Sequence, residues 1–171
     1  VLTYHNDAMR TGQNLSETLL TPQNVNSGSF GKLRMLGTDG LVDAAPLIVS
    51  GVSLGGTKRN VVYVASEHDS VYAFDADTGT LLLHTSLLGD GESTSEARNG
   101  CGQVAPEIGI TATPVIDRTA GPNGTLYVVA MSRDGSGNYY QRLHALDLLT
   151  LNDRMPRVAV RASAPGNGPN S

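Results

Sequence analysis

Glu67-His68-Asp69 is the densest run of chemistry-bearing side chains in the sequence: an imidazole with a carboxylate on either side. Histidine titrates near neutrality, which suits a general base. Carboxylates are hard oxygen donors, and Ca²⁺ needs several of them. Read as chemistry, Glu67, Asp69 and Glu107 are metal carboxylates, Asp43 is an outer ligand, and His68 is the base, with Glu107 beside it in catalysis. Read as local structure, the same triplet is a hairpin turn. Asp69 and Ser70 then cap the turn, Glu67 is solvated and His68 is a polar surface residue.

Other candidates are weaker. Cys101, in Asn99-Gly100-Cys101-Gly102-Gln103, is flanked by glycines that permit a sharp exposed turn. A nucleophilic thiol needs a histidine and an oxyanion donor, and His68 is the candidate partner; the alternative is a buried structural thiol. Asp134-Gly135-Ser136-Gly137-Asn138 is similar to the opening of a calcium loop, but Ser136 holds the second ligand place and the distal Glu is missing. His5, His84 and His144 lack metal-ligand spacing, and His144 reads as a half-buried, hydrogen-bonded strand residue. There is no G-x-S-x-G, P-loop or dinucleotide fingerprint.

These residues must be positioned by strands. From Asn60 to Leu83 the chain alternates β-branched and aromatic residues between polar turns, which predicts three strands. The unit occurs twice. In the first copy the strands are expected at residues 45–49, 61–65, 70–74 and 81–87; in the second, at 113–117, 125–131 and 141–147. Pro46 matches Pro114, Tyr63 matches Tyr127, and Ala73-x-Asp75 matches Ala145-x-Asp147. The organisation expected is a lead-in over residues 1–36, a first unit over 37–88, a loop over 89–109, a second unit over 110–162 that degenerates at its end, and a loose Gly/Pro/Asn-rich tail over 163–171. Thr21-Pro22 is either the start of a short helix or part of a coil.

The segment Ala73-Phe74-Asp75-Ala76-Asp77-Thr78-Gly79 fits A-x-D-x-x-T-G and resembles the repeat of quinoprotein-type β-propellers, the pyrroloquinoline-quinone-like family. The resemblance runs from about Tyr4 to Asp147. It implies an all-β fold of antiparallel four-stranded blades, here an incomplete β-propeller, because two blades do not close a ring. It also implies that the loop between the second and third strands emerges on one face with the loop joining the blades. That face would gather Glu67-His68-Asp69, Asp39, Asp43, Asp90, Glu92, Glu96, Cys101, Glu107, Arg133, Asp134 and Asn138. The family's turn tryptophan is replaced by Leu83 and Met155, its turn glycine by Leu151 in the second copy, and the chain has no Trp and no second Cys. No pyrroloquinoline quinone is therefore expected. The resemblance implies an extracellular or periplasmic location.

The 171 residues suffice for one domain with a real core, and the net charge of −4 with a pI near 5.4 argues against nucleic acid as partner. No apolar run is long enough to span a membrane, and one cysteine excludes an internal disulfide framework. Val1 is not a natural start, so a processed or truncated product is expected. Unpaired blade edges predict homo-oligomers. Three functions are weighed: a calcium-assisted hydrolase of lactones or esters, a non-catalytic scaffold binding protein or polysaccharide, and a remnant of a quinone-dependent dehydrogenase. The hydrolase is the reading taken forward.

Overall fold

In β2 (Thr57–Ala65) every second residue from Val61 is fully buried, because Val61, Tyr63 and Ala65 all project to one face of the strand. The computed structural model describes residues 1–96 and 102–163. Around β2 a four-stranded antiparallel sheet forms in the order β1 (Leu47–Leu54), β2, β3 (Ser70–Asp75), β4 (Leu81–Ser86). We call it sheet A.

A second antiparallel sheet, sheet B, is built on β8 (Thr125–Asp134) and β9 (Tyr139–Asp147). Beyond β9 lies β10 (Val158–Ala159). Along the other edge of β8 run first β7 (Val115–Asp117) and then β5 (Glu92–Glu96), which in turn pairs with β6 (Glu107–Ile108). No helix occurs among the described residues. At Thr21 there is a single turn, in which the amides of Asn24 and Val25 donate to the Thr21 carbonyl.

The two copies hold in register. Leu47 faces Tyr63 and Tyr63 faces Ala73; likewise Val115 faces Tyr127 and Tyr127 faces Ala145. The closing turns match as well. The Asp75 carboxylate accepts from the amides of Asp77 and Thr78, and Asp147 accepts from Leu149. The amides of Gly79 and Leu151 donate to the carbonyls of Asp75 and Asp147 respectively. Gly79 has φ +77° and Leu151 φ +55°. Leucine tolerates the left-handed backbone because its side chain is buried in the core, where burial offsets the strain.

The structure thus confirms an all-β, antiparallel chain, with the sheets open. It departs from the sequence reading in the 89–109 segment, which was expected as loop but contributes β5 and β6. Sheet pairing recruits this polar stretch: Glu92–Thr94 lies against Asp134–Ser132 of β8. The expected tail, apart from residue 163, lies outside the described residues.

A single core joins the two sheets. Leu47, Val61, Tyr63, Val71 and Ala73 of sheet A pack with Ile116, Leu126, Val128 and Leu146 of sheet B. The Tyr63 hydroxyl donates to the Leu148 carbonyl at 2.8 Å within it. Val1 and Leu2 span both sheets. Val1 exchanges two hydrogen bonds with Ile48, and the Leu2 carbonyl accepts from the Ile116 amide.

Candidate functional site

The turn between β2 and β3 carries Glu67, His68 and Asp69, and two chain segments close over it. From one side come residues 38–43: the Leu41 carbonyl accepts from the Glu67 amide, and Asp39 accepts from the hydroxyls of Ser66 at 2.8 Å and Ser70 at 2.6 Å. Burial works to raise the Asp39 pKa, but the hydroxyls of Ser70, Ser66 and Tyr72 win and hold it below the ordinary carboxylate value. From the other side come residues 107–111. The Gly109 amide donates to Glu67 Oε2 at 2.7 Å, and the Thr111 hydroxyl donates to the same oxygen at 3.0 Å.

The fit leaves no room for a side chain at Gly109. A β-carbon there would stand 2.3 Å from the Glu67 carbonyl oxygen and 2.7 Å from Asp69 Oδ1. Gly40 has a milder restriction, at 2.9 Å from the His68 amide nitrogen.

Glu67 and Asp69 are wholly buried, so the expectation of a solvated Glu67 is corrected. Oxygens of both lack partners: Glu67 Oε1 and both Asp69 carboxylate oxygens. Ionising either carboxyl is costly, because burial strips it of solvent, and for Asp69 the Met131 amide offsets only part of that cost. Burial accordingly pushes Asp69 up to about 7, and the neighbouring Glu67 charge adds to the shift. Burial raises Glu67 too, against the Gly109 and Thr111 donors, and Asp43 adds to it. Asp69 also sits at φ +54°, a backbone conformation that Asp tolerates better than most residues.

His68 stands at the surface of this buried pair. Its side chain is 46% exposed, and Nδ1 lies 2.9 Å from Glu107 Oε2, which also accepts from the Thr94 hydroxyl. The Glu107 hydrogen bond is the main cause of a raised His68 pKa. Asp43 is exposed and borders an open cleft of about 360 Å³ that Tyr4, Arg10 and Thr111 also line.

The structure therefore gathers Glu67, His68, Asp69, Glu107, Asp39 and Asp43, all expected on one face. Glu92 and Asp134 are engaged elsewhere, and Glu96 lies opposite Glu107 in the β5–β6 pair. Glu92 is bound by Arg142 through two hydrogen bonds of 2.6 and 2.7 Å and also accepts from Ser132 and Gly89, which hold it at about 2. Glu96 pairs with Arg133. The Asp134 oxygens are used within their own turn by Ser136, Asn138 and Tyr140, so this segment is a turn and not the opening of a calcium loop. His144 is buried, with Nδ1 3.0 Å from Asp153. Cys101 lies outside the described residues. Sequence reasoning missed Thr94, Thr111, Gly40 and Gly109. The hydroxyls leave no sequence signal, whereas a glycine before a buried isoleucine was a legible one.

Comparison with family models, curated proteins and solved structures finds no match to this chain. Among the described residues, no group of three or more His, Cys, Asp or Glu side chains forms a ready metal cage. No helix among them is long and apolar enough to cross a membrane.

Proposed function

We propose that the 66–69 turn and the segments clasping it form a hydrolytic centre for lactones or short esters, with Ca²⁺ on the carboxylates of Glu67 and Asp69. The observation carrying this reading is the set of unpartnered oxygens, Glu67 Oε1 and Asp69 Oδ1 and Oδ2, buried next to a half-exposed histidine. Their chemistry fits a hard cation: buried carboxylate oxygens from two neighbouring side chains. Asp43 is the outer carboxylate, and water would supply the remaining ligands. Bound there, Ca²⁺ would polarise the carbonyl of a substrate.

The protein's own residues supply the proton chemistry. Glu107 accepts from His68 Nδ1–H, which fixes the tautomer and leaves Nε2 as the basic nitrogen. Thr94 holds Glu107 in that orientation. His68 Nε2 takes a proton from water as the water oxygen bonds to the carbonyl carbon. The acyl C–O bond then breaks, and the imidazolium returns its proton to the departing alkoxide.

The test is calcium-dependent melting combined with hydrolysis of lactones and short esters, after stripping with chelator. Ca²⁺ at a hundred-fold excess over Kd should add about 2.7 kcal/mol to stability, and Asp69→Ala should abolish the effect. His68→Ala should lower turnover and leave the calcium response intact. A melting temperature indifferent to Ca²⁺ removes the metal from this reading, and absence of turnover removes the hydrolase.

A second reading, a scaffold that binds protein or polysaccharide, is favoured by a different observation. Met9, Leu15, Leu19, Leu33 and Met35 in the strandless N-terminal segment are all largely exposed.

A further inference from the structure

The strandless start of the chain folds into a loop bonded to itself. The His5 carbonyl accepts from the amides of Asp7 and Gly12, and the Asp7 carbonyl accepts from the Arg10 amide. His5 Nδ1 lies 3.1 Å from the Arg10 carbonyl oxygen, and the Asn6 side-chain amide donates to the Gln13 carbonyl at 2.8 Å. His5, Asn6 and Arg10 have φ of +56°, +69° and +56°. Residues other than glycine hold such backbone only where their surroundings fix it. The loop therefore presents Arg10 at a set place.

That place is the cleft of about 360 Å³ beside the 66–69 turn. Its volume falls within the range of small-molecule sites. Arg10 is the cation in its lining. The carboxylate nearest to Arg10 in sequence, Asp7, is taken up by the amide and hydroxyl of Thr11. No carboxylate among the described residues pairs with the Arg10 guanidinium, which lies 5.9 Å from the centre of the Tyr4 ring. The Thr113 hydroxyl, also in the lining, accepts from the Ala45 amide at 2.8 Å, which leaves its own proton for a ligand oxygen. Two further lining residues reach the buried carboxylates: the Thr111 hydroxyl donates to Glu67 Oε2 at 3.0 Å, and the Asp43 charge raises Glu67.

We propose that this cleft binds a small molecule by a carboxylate, held by Arg10 and Thr113. Resting on the hydrolase reading, the substrates are then esters or lactones whose acyl part carries a carboxylate. Arg10 takes the anionic end, and the ester carbonyl lies toward Glu67 and His68. A guanidinium offers a carboxylate two parallel N–H groups in a matching fork. A single negative charge suits the cleft better than a phosphate, because one cation balances it and Asp43 opposes a second.

Calorimetric titration of the calcium-stripped whole chain with succinate, and with inorganic phosphate for comparison, tests the cleft. Wild type and His68→Ala should bind succinate alike. Arg10→Gln should bind it about ten- to a hundred-fold more weakly, with an unchanged melting temperature because Arg10 is exposed. Arg10→Lys, which keeps the charge and loses the fork, should fall between. In turnover, the kcat/KM preference for monomethyl succinate over dimethyl succinate should drop in Arg10→Gln by the same factor. Succinate that does not bind, that binds Arg10→Gln as well as wild type, or that binds more weakly than phosphate overturns the proposal. Arg10-dependent binding of succinate without hydrolysis of any ester upholds the carboxylate site and overturns the hydrolase. A preference between the two esters that Arg10→Gln leaves unchanged overturns the substrate class.

Discussion

His68 Nδ1 lies 2.9 Å from Glu107 Oε2, a contact made across 39 residues of sequence. The carboxylate favours the protonated imidazole, so His68 gives up its proton at a higher pH than it would without that neighbour. If His68 is the base, activity should rise with pH through that raised value. Glu107→Gln removes the charge and should move the acid limb of the pH–rate profile to lower pH. Imidazole titration by NMR should show the same displacement without any substrate. A limb and a titration unmoved by Glu107→Gln would separate the pair from catalysis.

Asp69 predicts a pH dependence of opposite sense to that of most carboxylates. Its folded value is raised to about 7 from the ordinary 3.8. Between those values the folded protein holds a proton that the unfolded chain has lost. Stability from this group is therefore full at low pH and declines as pH rises toward about 7, by an amount on the order of 4 kcal/mol at roughly 1.4 kcal/mol per pH unit. Asp69→Asn should flatten the decline in urea-denaturation midpoints. Ca²⁺ should flatten it as well, because a cation favours the ionised form.

The Glu92–Arg142 pair fastens β5 to β9, with side chains 9% and 14% exposed. Arg142→Met leaves a buried carboxylate without its cation, and a loss of about 3–5 kcal/mol is expected. Adding Glu92→Met should recover much of it, because the desolvation cost disappears with the charge. The Glu92 carboxyl is depressed to about 2, so its contribution is present above the ordinary value of 4.5 and lost as pH falls toward about 2. Chemical denaturation of the single and double variants measures the coupling.

Tyr63→Phe deletes the hydroxyl that donates to the Leu148 carbonyl between the sheets. The ring and its packing stay. A loss of about 1–3 kcal/mol is expected, with the carbonyl left unsatisfied as the main cause. Thermal denaturation reads it, and a loss below the lower figure would mean that the carbonyl finds another donor.

The strands were legible where side chains alternate between water and core. Leu126 to Ser132 is of this kind; β3 is buried on both faces and was legible from its β-branched and aromatic residues and from the Asp that caps its closing turn. β5 was not legible, because Glu92-Ser93-Thr94-Ser95-Glu96 has no apolar alternation and is held by β8 and Arg142 instead. The burial of Glu67 and Asp69 was equally hidden. Charged residues in a tight turn normally face water, and only the closing of residues 38–43 and 107–111 over this turn removes it. That His68 and Glu107 share a face followed from loop placement; that their atoms meet required the coordinates.

The Val1–Leu2 dipeptide carries a kinetic consequence. Each hairpin of both sheets joins neighbours in sequence, so its loop closes at small entropic cost and can form early. The bond from Leu2 to Ile116 closes a longer loop than the Tyr63–Leu148 bond between the sheets, and the Val1–Ile48 pair closes a shorter one. The Leu2–Ile116 bond is therefore expected among the last to form. A chain released from it keeps two sheets joined by the shared core and by the Tyr63–Leu148 bond, and amide exchange at Ile116 should run ahead of exchange at Val61 and Val71.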